Sequence, residues 1–419
     1  MKNKYNISAP LIVIFSLFFI WAISSNLLPT MIRQLMKTCE LNAFEASFTE
    51  TAYWLAYFIF PIPIAMFMKR FSYKSGIILG LFIAAFGGLL FFPAAIIKSY
   101  WAYLTIFFII ATGMCFLETA ANPYVTALGD PNTSSRRLNL AQSFNGLGAF
   151  IAAMFLSKLV LSGLDYTRET LPLDYPNGWE AYIQFETNAM KIPYLILAAV
   201  LLIVAIIIIF SKLPKIKEGE HVEGSTQKSK LIDFKVLKRP HLRRGVIAQF
   251  FYNGGQTAIN SLFLVYCCVY VGMNESTATT FFGFYMLAFL LGRWIGTLLM
   301  VKFRPQDMLV VYAIVNVLLC GVIMIFGGIV GLYAMLAVSF FMSIMYPTQF
   351  SLALQDLGEH TKSGSAFLVM AIVGNAILPP LTAYIMHRNE MFYQIAYIIP
   401  LICFVFCAHY GWKGYKVAA

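Results

Sequence analysis

The sequence predicts an all-α integral membrane protein with twelve transmembrane helices in two six-helix halves. Three observations carry this reading. Hydrophobic residues make up 60% of the 419 residues and charged residues 12%, against about 25% charged in a soluble globule. The apolar runs are roughly 18–25 residues long, enough for helices to cross a hydrocarbon core of about 30 Å, whereas barrel strands would be shorter and would alternate. A long polar, basic stretch divides the runs six and six.

Taken in order, the first six spans read as 10–28, 48–68, 76–97, 101–125, 138–161 and 192–210. The stretch 211–244 follows, with Lys-Glu-Gly-Glu-His and Ser-Thr-Gln-Lys-Ser-Lys, and reads as a cytoplasmic linker. The second six are 245–271, 277–301, 308–326, 332–354, 365–386 and 392–408. The domains are therefore 1–210, 211–244 and 245–419, two parallel halves built from three-helix repeats. Short basic turns echo each other after spans two (Lys69-Arg70) and eight (Lys302-Phe303-Arg304). The segment 164–191 is the longest outer connection. Its Asp165, Asp174, Glu180 and Glu186 predict a solvated loop with some local helix, or a lid that attracts substrate.

The net charge of +11 is a topology signal rather than a nucleic-acid surface. Arg33, Lys37, Lys98, Lys158, Arg168, Lys191 and Arg388 fall in the odd-numbered loops and Arg293 inside a span. The rest of the 30 Lys and Arg lie in the termini and even-numbered loops. That is the positive-inside pattern, and it predicts a multi-pass membrane protein with both termini cytoplasmic. The basic start runs into span one without a small-residue cleavage site, so no cleavable signal peptide is expected. Of seven cysteines, six lie in apolar spans and Cys39 alone lies outside, so neither a disulfide framework nor a metal site is expected.

Glu118 is the one acid well inside an apolar span. A carboxylate at mid-membrane costs about 2.5–3.5 kcal/mol on insertion scales, which makes function the default reading and packing the plainer alternative. Other polar residues gather on a few helices: Trp21, Ser24, Ser25 and Asn26 in span one, Asn122 beside Glu118, and Gln142 and Asn145 on one face of span five. In span seven Gln249, Tyr252, Asn253, Gln256 and Asn260 form a stripe at i, i+3, i+4, i+7 and i+11. Tyr346 and Gln349 in span ten and Asn375 in span eleven complete the set. Lipid would leave such a stripe unpaired. Single amides suit interhelical packing, but the whole set predicts a hydrated cavity.

Amides offer donor and acceptor together and match vicinal hydroxyls, and Trp and Tyr cover the less polar face of a ring. The expected ligand is therefore a neutral polyhydroxyl compound. A dicarboxylate or phosphate ester would call for facing cations, and Arg293 is the one intramembrane candidate. Arg293 is expected to bind backbone carbonyls near the inner end of span eight, or to gate the cavity through a state-dependent pair with Glu118. None of the five histidines lies mid-span, so a histidine proton relay is not expected.

These residues give the chain its resemblance. It resembles the L-fucose:proton symporter family of sugar permeases in the major facilitator superfamily over nearly its whole length. The stretches concerned are Glu118-Thr119-Ala120-Ala121-Asn122-Pro123, Leu138-Asn139-Leu140-Ala141-Gln142 with Asn145, Tyr57 through Pro61-Ile62-Pro63 to Lys74, Gly292-Arg293 with Gly296, and Met342-Ser343-Ile344 with Tyr346-Pro347-Thr348. The resemblance implies the major facilitator fold, a sugar cavity between the halves, and proton symport. It places the protonatable residue on Glu118, cavity amides on Gln142 and Asn145, and the tyrosine of span ten on Tyr346. One departure stands out: Pro29 occupies the position of the family's helix-one aspartate.

The expected function is secondary active import of a monosaccharide (fucose, glucose/galactose or a related sugar) by alternating access. The proton is the coupling ion, no other cofactor is involved, and the carrier works as a monomer in the lipid bilayer. The alternative within the class is a sugar facilitator or a Na⁺-coupled carrier. An embedded enzyme would need an acid/base pair or metal cluster that the sequence does not present.

Overall fold

The computed structural model describes residues 8–41, 43–128, 130–156, 160, 166, 168–172, 175–211, 233–388 and 390–417. The described residues are almost all helical and include no strand. In the first half the helices are α1 (Ser8–Asn26), α2 (Leu28–Thr38), α3 (Ala43–Ile59), α4 (Pro61–Arg70), α5 (Tyr73–Leu89), α6 (Phe91–Ile97), α7 (Tyr100–Ala127), α8 (Ser134–Ile151) and α9 (Gly178–Phe210). In the second they are α10 (Pro240–Val265), α11 (Glu275–Leu299), α12 (Pro305–Phe326), α13 (Gly328–Met342), α14 (Met345–Ala353), α15 (Thr361–Met370), α16 (Gly374–Arg388) and α17 (Ile398–His409). Most of the predicted linker (212–232) and the end of predicted span five (157–159 and 161) lie outside the described residues.

Among the described residues, nine helical segments are long and apolar enough to cross a membrane. A tenth is the pair α3 and α4, bent by 41°. The bend falls at Pro61, whose ring nitrogen cannot donate to the carbonyl one turn back. The two predicted spans that fall short on hydropathy are α8 and α10. These are the helices carrying Asn139, Gln142 and Asn145, and Gln249, Asn253, Gln256 and Asn260. Their polarity is the signature of what they line.

Two boundaries differ from expectation. Predicted span one ends at Leu28, but helix continues as α2 to Thr38. Predicted span six begins at residue 192, but α9 begins at Gly178. Part of the supposed outer loop is therefore helix, and Glu186 is buried rather than solvated. Tyr182, Ile183, Glu186, Thr187 and Met190 bury one face at i, i+1, i+4, i+5 and i+8. Glu186 accepts a hydrogen bond from the Gln34 amide on α2. Nearby, Glu40 accepts from Arg168 Nε at 2.8 Å and Trp179 Nε1 at 2.9 Å. These bonds, the Arg168 one foremost, hold the exposed Glu40 carboxyl below the usual carboxylate range. Asp165 and Asp174 of the predicted loop lie outside the described residues.

Close helix crossings use small residues, as membrane packing requires. A Cβ added at Gly113 on α7 would stand 2.5 Å from Ala84 N and 2.5 Å from Gly80 O on α5. Both contacts are backbone, so relief requires the helices to part. Gly113→Ala is expected to destabilise the fold by about 1–3 kcal/mol. Gly321→Ala, whose Cβ meets nothing within 4 Å, serves as the control. Thermal melting in detergent checks this, and equal melting points for the two variants would contradict the tight crossing.

Candidate functional site

Two prolines shape the site. Pro123 lies inside α7 and has no N–H, so the Thr119 carbonyl loses its partner one turn on. Ser365 Oγ on α15 donates to that oxygen at 3.3 Å. Pro347 does the same to Ser343 in the second half, where the predicted span ten breaks between α13 and α14. Arg293 Nε on α11 donates to the Ser343 carbonyl at 2.7 Å. Two residues of α10 brace the same break: the Tyr252 hydroxyl donates to Met342 O at 2.9 Å, and Gln249 Nε2 to Tyr346 O at 2.9 Å. Side chains thus tie the break at three carbonyls, as irregular backbone at membrane depth requires. It sets Tyr346 in the first turn of α14, where its hydroxyl donates to the buried Glu118 carboxylate.

Around this bond lies a cavity of about 180 Å³, well above the roughly 10–15 Å³ that holds one water. Its walls come from both halves. Trp21, Ser25 and Asn26 on α1, Glu118 on α7, and Gln142 and Asn145 on α8 face Asn253, Gln256 and Asn260 on α10, Arg293 on α11, Tyr346 on α14 and Asn375 on α16. The walls are pre-set by bonds behind them. Trp21 Nε1 donates to Tyr57 Oη at 3.2 Å, Gln142 Nε2 to Asn122 Oδ1 at 3.1 Å, and Thr257 Oγ1 to Asn375 Oδ1 at 2.8 Å. The Tyr285 hydroxyl donates to Asn260.

Four predicted site residues do not line the cavity. Asn122 stands behind Gln142. Gln249 and Tyr252 brace the span-ten break, so the predicted stripe on α10 divides: its inner end supports Tyr346 and its outer part faces the cavity. Gln349 is fully buried, one helical turn beyond Tyr346 and next to Cys407. Conversely, Glu50, Trp54, Thr257, Ser261 and Tyr285 line the cavity without having been predicted. The signal for the first two is present: Glu50, Trp54 and Tyr57 recur at i, i+4 and i+7 on one helix face.

Arg293 is buried and serves backbone, as one of its two expected roles requires. Beyond Ser343 it donates through Nη1 to the Gln142 carbonyl on α8 at 2.7 Å, and its guanidinium lies 4.4 Å over the Phe289 ring. Glu118 receives Tyr346 rather than this cation, so the alternative of an ion pair is not formed in this arrangement. One cation therefore ties α11, α13 and α8 together beneath the cavity.

Beyond Arg293 the halves are sewn together at one end. Ser135 on α8 shares a hydrogen bond with Ser351 on α14, and Asn139 Nδ2 donates to Thr348 Oγ1 at 3.1 Å. Lys362 Nζ on α15 donates to Met68 O on α4 at 3.2 Å. The first two are hydroxyl and amide contacts, each worth about 1 kcal/mol net, and the third is a charged hydrogen bond worth about 1.5–3 kcal/mol.

The comparisons with known proteins agree with this architecture. The family model of the Major Facilitator Superfamily matches residues 11–379. The chain is 38% identical to the L-fucose-proton symporter of Escherichia coli (strain K12) over 397 residues, covering 94% of this chain and 90% of that one. It is 33% identical to the glucose/galactose transporter of Brucella abortus over 402 residues, covering 96% and 92%. Its fold is similar to the crystal structure of a major facilitator superfamily transporter, FucP, in the outward conformation, with a TM-score of 0.84, 39% identity, and coverage of 96% and 97%. The chain belongs to the Major Facilitator Superfamily, within the group of sugar permeases related to the L-fucose-proton symporters.

Proposed function

We propose that this protein imports a monosaccharide by proton symport, with alternating access between two halves, 1–210 and 245–419, joined by the linker 211–244. The observation that carries the reading is the Glu118–Tyr346 bond: a buried carboxylate of one half held by a hydroxyl of the other, inside a cavity of amides and aromatic faces. The amides Gln142, Asn145, Asn253, Gln256, Asn260 and Asn375 suit ring hydroxyls, and Trp21 offers a face for the ring's apolar side. L-fucose, glucose and galactose are the candidate sugars, since the relatives named above carry these. A neutral Glu118 is compatible with the closed interior, whereas an ionised one without a cation calls for water. Protonation from outside therefore favours the loaded, closed carrier, and release of the proton inward resets it. The basic even-numbered loops support cytoplasmic termini in a bacterial inner membrane. A cavity formed wholly within one chain supports a functional monomer.

The test is counterflow in proteoliposomes containing the purified protein. A panel of L-fucose, D-glucose, D-galactose and amino sugars competes against each labelled sugar in turn. At least one is expected to exchange saturably and to be displaced by its own unlabelled form. A panel in which none exchanges above protein-free liposomes would sink the reading.

A further inference from the structure

The cavity holds a second acid. Glu50 on α3 lines it together with Glu118, and it is half-buried. Ser261 on α10 lines the same cavity and presents its hydroxyl to this acid from the second half. The two acids are thus placed alike: each belongs to the first half and each faces a hydroxyl of the second, Glu118 that of Tyr346, which donates to it, and Glu50 that of Ser261. Their positions differ. The Glu118 bond lies near the sewn end of the cavity, above Arg293. Glu50 lies three turns before Pro61 on α3, and Ser261 two turns beyond Asn253 on α10, so the two face each other across the halves toward the opposite end.

Among the described residues, no cation forms an ion pair with the Glu50 carboxyl. Within the cavity the charged and titratable groups around it are Glu118, Tyr346, Arg293 and Tyr285. Arg293 is committed to the Ser343 and Gln142 carbonyls. Tyr285 is committed to Asn260. From the elements packed on α3, α7 brings Tyr100 and Tyr103. Lys37 lies in the last turn of α2, Arg70 in the last turn of α4 beside Phe71, and Lys362 on α15 serves Met68 O. Arg388 lies over Tyr384 on α16. None of these cations lies within ion-pair distance of Glu50. From α10, α16 and the turn at 371–373, Ser261, Thr257, Asn375 and Ile372 line the same cavity, all uncharged.

We infer that Glu50 is the latch of the cavity end opposite the Ser135–Ser351 seam, closing onto Ser261 when neutral and holding that end open to water when ionised. The inference rests on the sugar-carrier reading above. The physical reason is solvation. A neutral carboxyl exchanges a water for the Ser261 hydroxyl at little cost, while an ionised one sealed against a single hydroxyl loses the water that stabilised it. Each closing at this end then requires one proton bound at Glu50, taken from the medium and returned when the end reopens. This proton sets the rate of closing and is distinct from any carried with sugar at Glu118. Glu50 is in this sense a positioning residue.

The test uses counterflow of labelled L-fucose and, in parallel, D-galactose in proteoliposomes with equal pH on both sides. The background is Glu118→Gln, so that Glu118 does not titrate. Exchange is expected to slow as pH rises, by up to about tenfold per unit, the limit for one required proton. Adding Glu50→Gln is expected to flatten the profile at the fast, low-pH level, because the amide is neutral at every pH and still meets Ser261. Adding Glu50→Asp should restore a pH-dependent profile. Ser261→Ala removes the latch from the other half and should flatten the profile too, which keeps the test open if Glu50→Gln fails to fold. A profile that is flat before Glu50 is changed, or that keeps its slope after Glu50→Gln or Ser261→Ala, overturns the inference. If the unmodified protein exchanges neither these two nor any other sugar of the panel above, it is the carrier reading that fails.

Discussion

Glu118→Gln abolishes proton-driven sugar accumulation while counterflow survives: this is the expected result with the largest effect. Glutamine keeps the size of the side chain and can still accept the Tyr346 hydroxyl, so the cavity keeps its shape. It cannot take up or release a proton. Each pH unit of gradient supplies about 1.4 kcal/mol per proton, about tenfold in sugar concentration. In vesicles with an imposed pH gradient, the wild type should therefore concentrate sugar about tenfold per unit for each coupled proton, and Glu118→Gln only to equality. A variant that concentrates sugar normally would remove Glu118 from the coupling.

Locking the sewn end should stop transport altogether. Ser135 and Ser351 share a hydrogen bond across the halves, which brings their side chains within the range that a disulfide spans. The double variant Ser135→Cys with Ser351→Cys, once oxidised, holds that end shut. Alternating access requires the seam to part in every cycle, for net uptake and for exchange alike. Both activities are expected to fall to the level of protein-free liposomes and to return on reduction. Either single variant under the same oxidant controls for the seven native cysteines, all free among the described residues. Full exchange by the oxidised double variant would contradict alternating access.

Much of this arrangement is legible in the sequence, and the exceptions have physical causes. Glu118 announces itself because a carboxylate amid apolar residues is costly to insert, which makes function the default reading ahead of packing. The faces of α1, α8 and the outer part of α10 follow from spacing, since each cavity residue repeats at three or four positions. Periodicity gives a face but not a depth. Gln249 lies on the same face as Asn253 and Gln256, yet it sits below the cavity floor and holds the Tyr346 carbonyl. Gln349 and Tyr252 likewise turn into the second half. Glu50 escapes notice because it stands at the edge of its apolar run between Thr49 and Thr51, where an acid reads as interfacial. Only the inward face shared with Trp54 and Tyr57 shows otherwise. Glu186 reads as a loop acid because its partner, Gln34, is 152 positions away. The role of Arg293 follows from Pro347: the proline marks a carbonyl without a donor, and the folded chain shows which side chain answers it.

Glu50 also bears on Pro29. A helix-one aspartate is absent, yet the cavity still contains two carboxylates, now on α3 and α7.

The central claim is that sugar and proton move together, and the pH of the medium reports this most directly. A weakly buffered suspension of cells expressing the protein receives an anaerobic pulse of the sugar that the competition panel selects. Symport predicts immediate alkalinisation that saturates with sugar and disappears in Glu118→Gln. Sugar entry with no change of medium pH would contradict the account, leaving a facilitator or a Na⁺-coupled carrier.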